Sequence, residues 1–147
     1  MSASDSKARQ AACSCGRLRV TARGEPTRIS MCHCLECQRR TGSAFGLQAR
    51  FADADVTIEG PSKAYARTAD TGNLVTFHFC PECGSTVYYV LEKWPGAIAI
   101  AVGAFADPGF PAPIASVHEE RRHAWVTVPE GAEHFAGPAH PPVRPST

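Results

Sequence analysis

The sequence predicts a small all-β domain in which short antiparallel strands form packed sheets, with little helix. Short apolar or alternating segments recur along most of the 147 residues, and Gly, Pro, Asp and Asn residues separate them. Only one stretch, Cys34 to Arg40, has a composition that favours a helix. A chain of this length suits one domain that buries roughly two-thirds of its unfolded surface. Short strands of this kind become stable when one sheet packs on another.

Each predicted element follows from a local pattern. Leu18, Val20 and Ala22 alternate with polar residues, which is typical of a strand with one buried face. Gly42 suits the end of the helix, because glycine readily adopts the left-handed conformation found there. The predicted strands are Gly16 to Ala22, Arg28 to Cys32, Ala44 to Phe51, Asp55 to Gly60, Lys63 to Arg67, Leu74 to Phe79, Ser85 to Leu91 and Ala97 to Phe105.

The C-terminal part is richer in proline. Pro108 to Ser116 is predicted to be a connection, and Ala124 to Pro129 a last extended piece in which Trp125 is interpreted as a core anchor. The predicted organisation is a flexible tail at 1–10, one zinc-binding domain at 11–137 and a proline-rich tail at 138–147.

Composition excludes several classes of function. The formal net charge of +1 gives no electrostatic reason to expect a nucleic-acid or anionic-membrane partner. The first residues lack the apolar run of a signal peptide, and no segment has membrane-spanning length. A cytoplasmic location is therefore expected. The sequence does not predict an oligomeric state.

The seven cysteines carry the functional signal. An odd number cannot be paired completely within the chain, and clustered cysteines in a reducing compartment more often bind metal or do redox chemistry. Two pairs can form a closed four-sulfur site, which leaves a triple for an open site. The groups are the pair Cys13 and Cys15, the triple Cys32, Cys34 and Cys37, and the pair Cys80 and Cys83.

The motif CPECG, Cys80 to Gly84, is the most specific of these signals. Its proline sets a turn that aims both sulfurs inward, and its glycine lets backbone amides approach them. Together with CSCG, Cys13 to Gly16, it predicts a structural zinc site. Such a site would tie the first predicted strand to the middle of the chain.

The triple lies in the stretch CHCLECQRRTGSAFG and allows two interpretations. Cys32 and Cys34 are two residues apart in an extended segment and so face one centre, while Cys37 follows at the usual metal-knuckle spacing. A structural zinc here would need a fourth ligand, whereas a catalytic zinc keeps one position open. No histidine stands at knuckle spacing, which favours the open site. The histidines available to close it are His33, His78, His118 and His123.

Two further groups of residues are weaker candidates for the site. Arg39 and Arg40 could bind the carboxylates of a glutathione-like ligand, although exposed helix arginines are usually only solvated. The segment from His118 to His123 could line a pocket, or it could be a charged edge strand.

The order of these motifs resembles the glutathione-dependent formaldehyde-activating family, also called the GFA or CENP-V-like family. CSCG, CHCLECQRRTGSAFG, FCPECGST and a late VHEERRHAW occur in that order, and the resemblance extends from about Ala12 to Phe135. The resemblance implies an Mss4-like β fold with two zinc ions per chain. It assigns a structural zinc to Cys13, Cys15, Cys80 and Cys83, and a functional zinc to Cys32, Cys34 and Cys37. Three cysteinate ligands give the functional ion an excess of negative charge, so this zinc is expected to be labile.

The resemblance also implies a reaction. The family joins formaldehyde to glutathione, so this chain is expected to be a carbon–sulfur lyase or synthase that acts on thiol–aldehyde adducts. An alternative is a non-catalytic zinc module that binds a protein, because a fold alone does not define a function. A chromatin role, as in one branch of the family, is disfavoured by the small net charge.

Overall fold

The computed structural model describes residues 7–69 and 71–138. Within them, eleven strands form two sheets, and there is one α-helix. The strands are β1 (Ala8–Ala12), β2 (Arg19–Arg23), β3 (Arg28–Cys32), β4 (Gly46–Ala52), β5 (Val56–Glu59), β6 (Lys63–Thr68), β7 (Leu74–Phe79), β8 (Thr86–Leu91), β9 (Ala97–Ala101), β10 (Ala115–Val117) and β11 (Glu133–His134), and the helix is α1 (Leu35–Thr41).

The small sheet has the strand order β1-β2-β5, and the large sheet has the order β11-β10-β3-β4-β9-β8-β7-β6. All pairs are antiparallel except β10 with β3 and β10 with β11, which are parallel. The all-β prediction is confirmed, and the two parallel pairs are an addition to it. They form because the chain returns to the edge of β3 after a long connection.

The main core lies between the two sheets. Val20 and Leu18 contribute from the small sheet and its entry, and Phe51 and Ile100 from the large one. All four are almost completely buried. The opposite face of the large sheet carries a second, smaller apolar cluster that includes Phe77 and Tyr89. Because successive strand residues point to opposite faces, β3 and β4 present apolar residues to the main core and polar residues to this second face.

Several boundaries differ from the sequence prediction. Strand β1 starts at Ala8, inside the segment 1–10 assigned to a tail, because its residues pair with β2. The strand predicted to reach Phe105 ends at Ala101 and continues as a 3-10 turn. Residues 124–129 form no strand, and Trp125 is 74% exposed, so its assignment to the core was wrong. Of the two predicted tails, residues 1–6 and 139–147 lie outside the described part of the chain.

None of the helices described in the chain is long and apolar enough to cross a membrane.

Candidate active site

Four cysteine sulfurs meet where the two sheets are joined. The Sγ atoms of Cys13, Cys15, Cys80 and Cys83 all lie within 4.8 Å of one another. The Cys13 and Cys15 sulfurs are 3.7 Å apart, and those of Cys15 and Cys80 are 3.6 Å apart. Sulfurs bound at about 2.3 Å to a tetrahedral zinc lie about 3.8 Å from one another. This four-sulfur cluster therefore has the size of a closed tetrahedral metal site.

Backbone amides support the four-sulfur cluster. The amide of Leu18 donates to Cys13 Sγ and the amide of Glu82 donates to Cys80 Sγ, each at 3.3 Å. Gly84 has a φ of +79°, which allows its amide to close the turn on the carbonyl of Cys80 at 2.8 Å. Hydrogen bonds of this kind favour the thiolate form that binds a metal.

The remaining three sulfurs lie where β3 passes into α1. Cys32 is the last residue of β3, Cys34 is the N-cap of α1, and Cys37 is in the first turn of the helix. The amide of Cys37 donates to Cys34 Sγ at 3.3 Å, which is a capping bond made by a sulfur. The three Sγ atoms lie within 4.8 Å of one another. One strand end and one helix start thus build this three-sulfur cluster.

The charges of the three sulfurs depend on one another. Hydrogen bonds with Cys34 and Cys37, and burial, raise the pKa of the Cys32 thiol far above its usual value. Hydrogen bonds from Cys32 and Cys37 lower the pKa of Cys34 far below it. The cluster on its own therefore favours one thiolate that accepts from two thiols. Three thiolates at this spacing repel one another and require a cation, so this donor set fits a thiophilic metal ion.

Among the described residues, no histidine, aspartate or glutamate joins the three-sulfur cluster. Nε2 of His33 is 2.9 Å from the hydroxyl oxygen of Ser116, so the ring points away from the sulfurs. His78 stacks on Tyr88 with ring centroids 4.4 Å apart. His123 Nε2 is 3.0 Å from the side-chain oxygen of Gln38. The histidines considered as a fourth ligand, with the exception of His118, are thus engaged elsewhere.

The three-sulfur cluster opens onto a groove of about 810 Å³ on the second face of the large sheet, where the polar residues of β3 and β4 lie beside the Phe77 and Tyr89 cluster. His118, Glu120 and Arg121 line the groove, so the segment after β10 forms part of a pocket wall. His118 Nδ1 is 3.8 Å from a carboxylate oxygen of Glu120. This position agrees with the interpretation that the segment from His118 to His123 lines a pocket.

Arg39 and Arg40 both line the groove but differ in their surroundings. Arg39 is largely exposed and forms an ion pair with Glu36 at 2.6 Å. The guanidinium of Arg40 lies 5.1 Å from the ring centre of Phe77 and 4.9 Å from that of Tyr89, in cation–π geometry. A role for either arginine in substrate binding stays a prediction.

Two groove residues were missed in the sequence. Arg28 and Arg50 face each other across β3 and β4 and are only 9% and 6% exposed. Burial lowers the pKa of both, and in Arg50 the charge of Arg28 adds to this effect and brings the pKa to about 10. The available signal was the alternation of Arg28, Ser30 and Cys32, which marks a polar face beside the metal ligands.

The comparisons with known proteins agree with this arrangement. The family described as glutathione-dependent formaldehyde-activating enzyme matches residues 8–125. A crystal structure of a Rhodobacter sphaeroides protein, a structural genomics target, has a similar fold, with a TM-score of 0.52 and 17% identity. The match covers 86% of this chain and 98% of that one. No curated protein sequence matches the chain. Residues 8–125 include all seven cysteines, and the chain belongs to the glutathione-dependent formaldehyde-activating family.

Proposed function

We propose that this protein is a zinc-dependent carbon–sulfur lyase or synthase that acts on thiol–aldehyde adducts of the S-hydroxymethylglutathione type. One observation carries the proposal. The three-sulfur cluster has no fourth side-chain ligand among the described residues and lies in the wall of a large groove. A closed structural site would have no use for such a groove, whereas a catalytic site needs room for a substrate.

Cys32, Cys34 and Cys37 are the residues that would hold the ion. A zinc ion there would leave one position for a substrate sulfur and keep that sulfur deprotonated at neutral pH. In the lyase direction, the carbon–sulfur bond of the adduct breaks and its electron pair stays on sulfur. The hydroxyl group of the adduct loses its proton as the carbonyl of the aldehyde forms. In the synthase direction, the thiolate adds to the aldehyde and the oxygen takes a proton.

Side chains of the groove are placed to exchange this proton and to contact the substrate. His118 lines the groove beside the cluster and is near Glu120, so we assign it to hold or transfer the hydroxyl proton. Arg40 places a positive charge near Cys37 and, over Phe77 and Tyr89, forms part of the wall. Family membership supports glutathione as the thiol and formaldehyde as the aldehyde. The four-sulfur cluster is proposed to hold a second zinc with a structural role.

The test must separate catalysis from the spontaneous reaction, because formaldehyde and glutathione also combine without an enzyme. Exchange spectroscopy by NMR on an equilibrated mixture of thiol, aldehyde and adduct measures the rate of interconversion. Zinc-loaded protein is expected to raise that rate without changing the equilibrium concentrations. The variant Cys34→Ser should remove the increase, and His118→Gln should reduce it.

The matched control is Arg23→Gln, an exposed substitution on the small sheet, which should keep the wild-type exchange rate. If glutathione gives no increase, other thiols are tested in the same way. If no thiol binds the zinc-loaded protein, the lyase proposal is wrong. A non-catalytic interaction module then becomes the better explanation, because such a module needs only the four-sulfur cluster.

A further inference from the structure

We infer that Arg28 and Arg50 form a carboxylate-binding pocket in the groove, at the end away from the three-sulfur cluster. A substrate whose sulfur lies at the cluster would then place a carboxylate on this arginine pair. The assignment of the sulfur end rests on the proposed function. The arginine pocket itself rests on separate observations.

The first observation is the burial of two like charges side by side. Arg28 on β3 lies directly opposite Arg50 on β4, and both are more than nine-tenths buried. Buried charges are ordinarily paired, because taking an unpaired charge out of water is costly. Two adjacent guanidinium groups repel each other in addition. An anion between them would relieve both costs.

The second observation is that, within residues 7–69 and 71–138, no side chain supplies such an anion. Among the described residues, neither Arg28 nor Arg50 forms a salt bridge or a side-chain hydrogen bond. Glu133 on β11 acts on Arg28 only at longer range. The guanidinium carbon of Arg50 lies 4.3 Å from the ring centre of Trp94, which orients the group but leaves its N–H donors available. Arginine donors in this state match the geometry of a carboxylate.

The third observation is the position of the pair relative to the sulfurs. Arg28 and Cys32 are both on β3 and both line the groove. Four residues of strand, at about 3.3 Å each, separate their Cα atoms by about 13 Å. Ser30 and Gln48 form the floor between them, and the hydroxyl of Tyr89 donates to the side-chain oxygen of Gln48. The amide nitrogen of Gln48 is thereby left as a donor beside the path of the ligand.

Two probes separate the two ends of the groove. S-methylglutathione carries carboxylates but no free thiol, and cysteamine carries a thiol but no carboxylate. Titration calorimetry on the zinc-loaded protein measures the affinity for each. Arg28→Gln and Arg50→Gln should each weaken S-methylglutathione at least tenfold and leave cysteamine within twofold. Cys34→Ser should do the reverse, so failure of the pocket and failure of the zinc chemistry give different results.

Arg23→Gln is the matched control, since it removes one positive charge from the other sheet. An equal loss of S-methylglutathione affinity in Arg23→Gln and Arg50→Gln would overturn the inference, and so would no loss in either groove variant.

A measurement on the wild-type protein covers the case in which the arginine variants fail to fold. The chain has two tryptophans, Trp94 against Arg50 and the exposed Trp125 outside the groove lining. In a ¹H–¹⁵N spectrum, S-methylglutathione should shift the indole signal of Trp94 and leave that of Trp125 in place. The variant Trp125→Phe assigns the two signals. No shift of Trp94, or equal shifts of both signals, would contradict the carboxylate pocket.

Discussion

Ser116 holds the ring of His33 in the interior of the protein. Both residues are completely buried, and the Ser116 hydroxyl is 2.9 Å from His33 Nε2. His33 stands between Cys32 and Cys34, and its ring points to the opposite side of the chain from their two sulfurs. Gln38 also donates to the carbonyl of His33 at 2.9 Å. Hydrogen bonds from two other elements thus hold His33, which is not a ligand, beside the three-sulfur cluster.

Replacing Ser116 by alanine is expected to destabilise the protein by about 1–3 kcal/mol, because it leaves a buried ring nitrogen without a partner. Thermal and denaturant unfolding followed by circular dichroism measure the change. Ser43→Ala, an exposed substitution after α1, is the control and should stay within about 0.5 kcal/mol of wild type. Equal stabilities of the two variants would show that the contact between Ser116 and His33 does not stabilise the fold.

Individual residues were predictable where chemistry restricts them. The spacing of the cysteines alone predicted their division into a four-sulfur and a three-sulfur cluster, because metal ligands need short turns of defined length. Arg28 and Arg50 were not predicted as partners, since their contact depends on the register between β3 and β4. Trp125 was misassigned because large aromatic residues are usually buried, and this one lies in a turn at the surface.

At the level of elements, the turn between β5 and β6 packs closely on the segment before β2. Gly60 has a φ of +99°, and a Cβ atom at this position would clash with the backbone carbonyl oxygen of Arg17. Backbone atoms cannot move aside as a flexible side chain can. This glycine therefore allows the end of the small sheet to close.

Gly60→Ala is expected to cost more than about 2 kcal/mol of stability, since it combines the clash with an unfavourable φ. Gly131→Ala is the matched control. It has a similar φ of +94° and open space around the position, so it should cost only about 1 kcal/mol. Chemical denaturation of both variants provides the comparison. Similar losses of stability in the two variants would mean that the positive φ, and not the contact with Arg17, makes glycine necessary at position 60.

Elements with a strong local pattern were predicted well. The bounds of β3 and β7 agree with the prediction, and α1 ends before Gly42, which has the expected left-handed conformation. β10 and β11 were not predicted, because strands of three and two residues carry too little pattern. Their parallel pairing beside β3 depends on long-range contacts that the local sequence does not encode.

In the molecule as a whole, the four-sulfur cluster fastens one sheet to the other. Cys13 and Cys15 precede β2 of the small sheet, and Cys80 and Cys83 lie in the turn between β7 and β8 of the large one. A structural zinc contributes roughly 10–16 kcal/mol in zinc-finger peptides. That exceeds or equals the total stability of most domains, about 5–15 kcal/mol.

We therefore expect Cys80→Ser or Cys13→Ser to unfold the protein or make it insoluble. Cys34→Ser should keep the fold, because its cluster joins only β3 to α1. Circular dichroism and the soluble yield of the three variants provide the measurement. Equal damage in all three would refute the division between a structural and a functional site.

The two cysteine clusters also predict the metal content of the purified protein. Protein purified without a chelator should hold up to two zinc ions, and a mild chelator should remove one of them while the fold persists. Native mass spectrometry gives the count. Cys34→Ser provides the control and should hold one zinc from the start. A single, tightly held metal in every wild-type preparation would contradict the two-site proposal.

The sequence separation within the four-sulfur cluster has a consequence for synthesis. Cys15 and Cys80 touch in the folded protein but are 65 residues apart in the chain. At about 5–20 residues per second, the ribosome needs roughly 3–13 s to make that interval. The three-sulfur cluster, whose members are close neighbours, is available to a metal earlier. Cys13 and Cys15 therefore spend those seconds without Cys80 and Cys83, the two residues that complete their cluster.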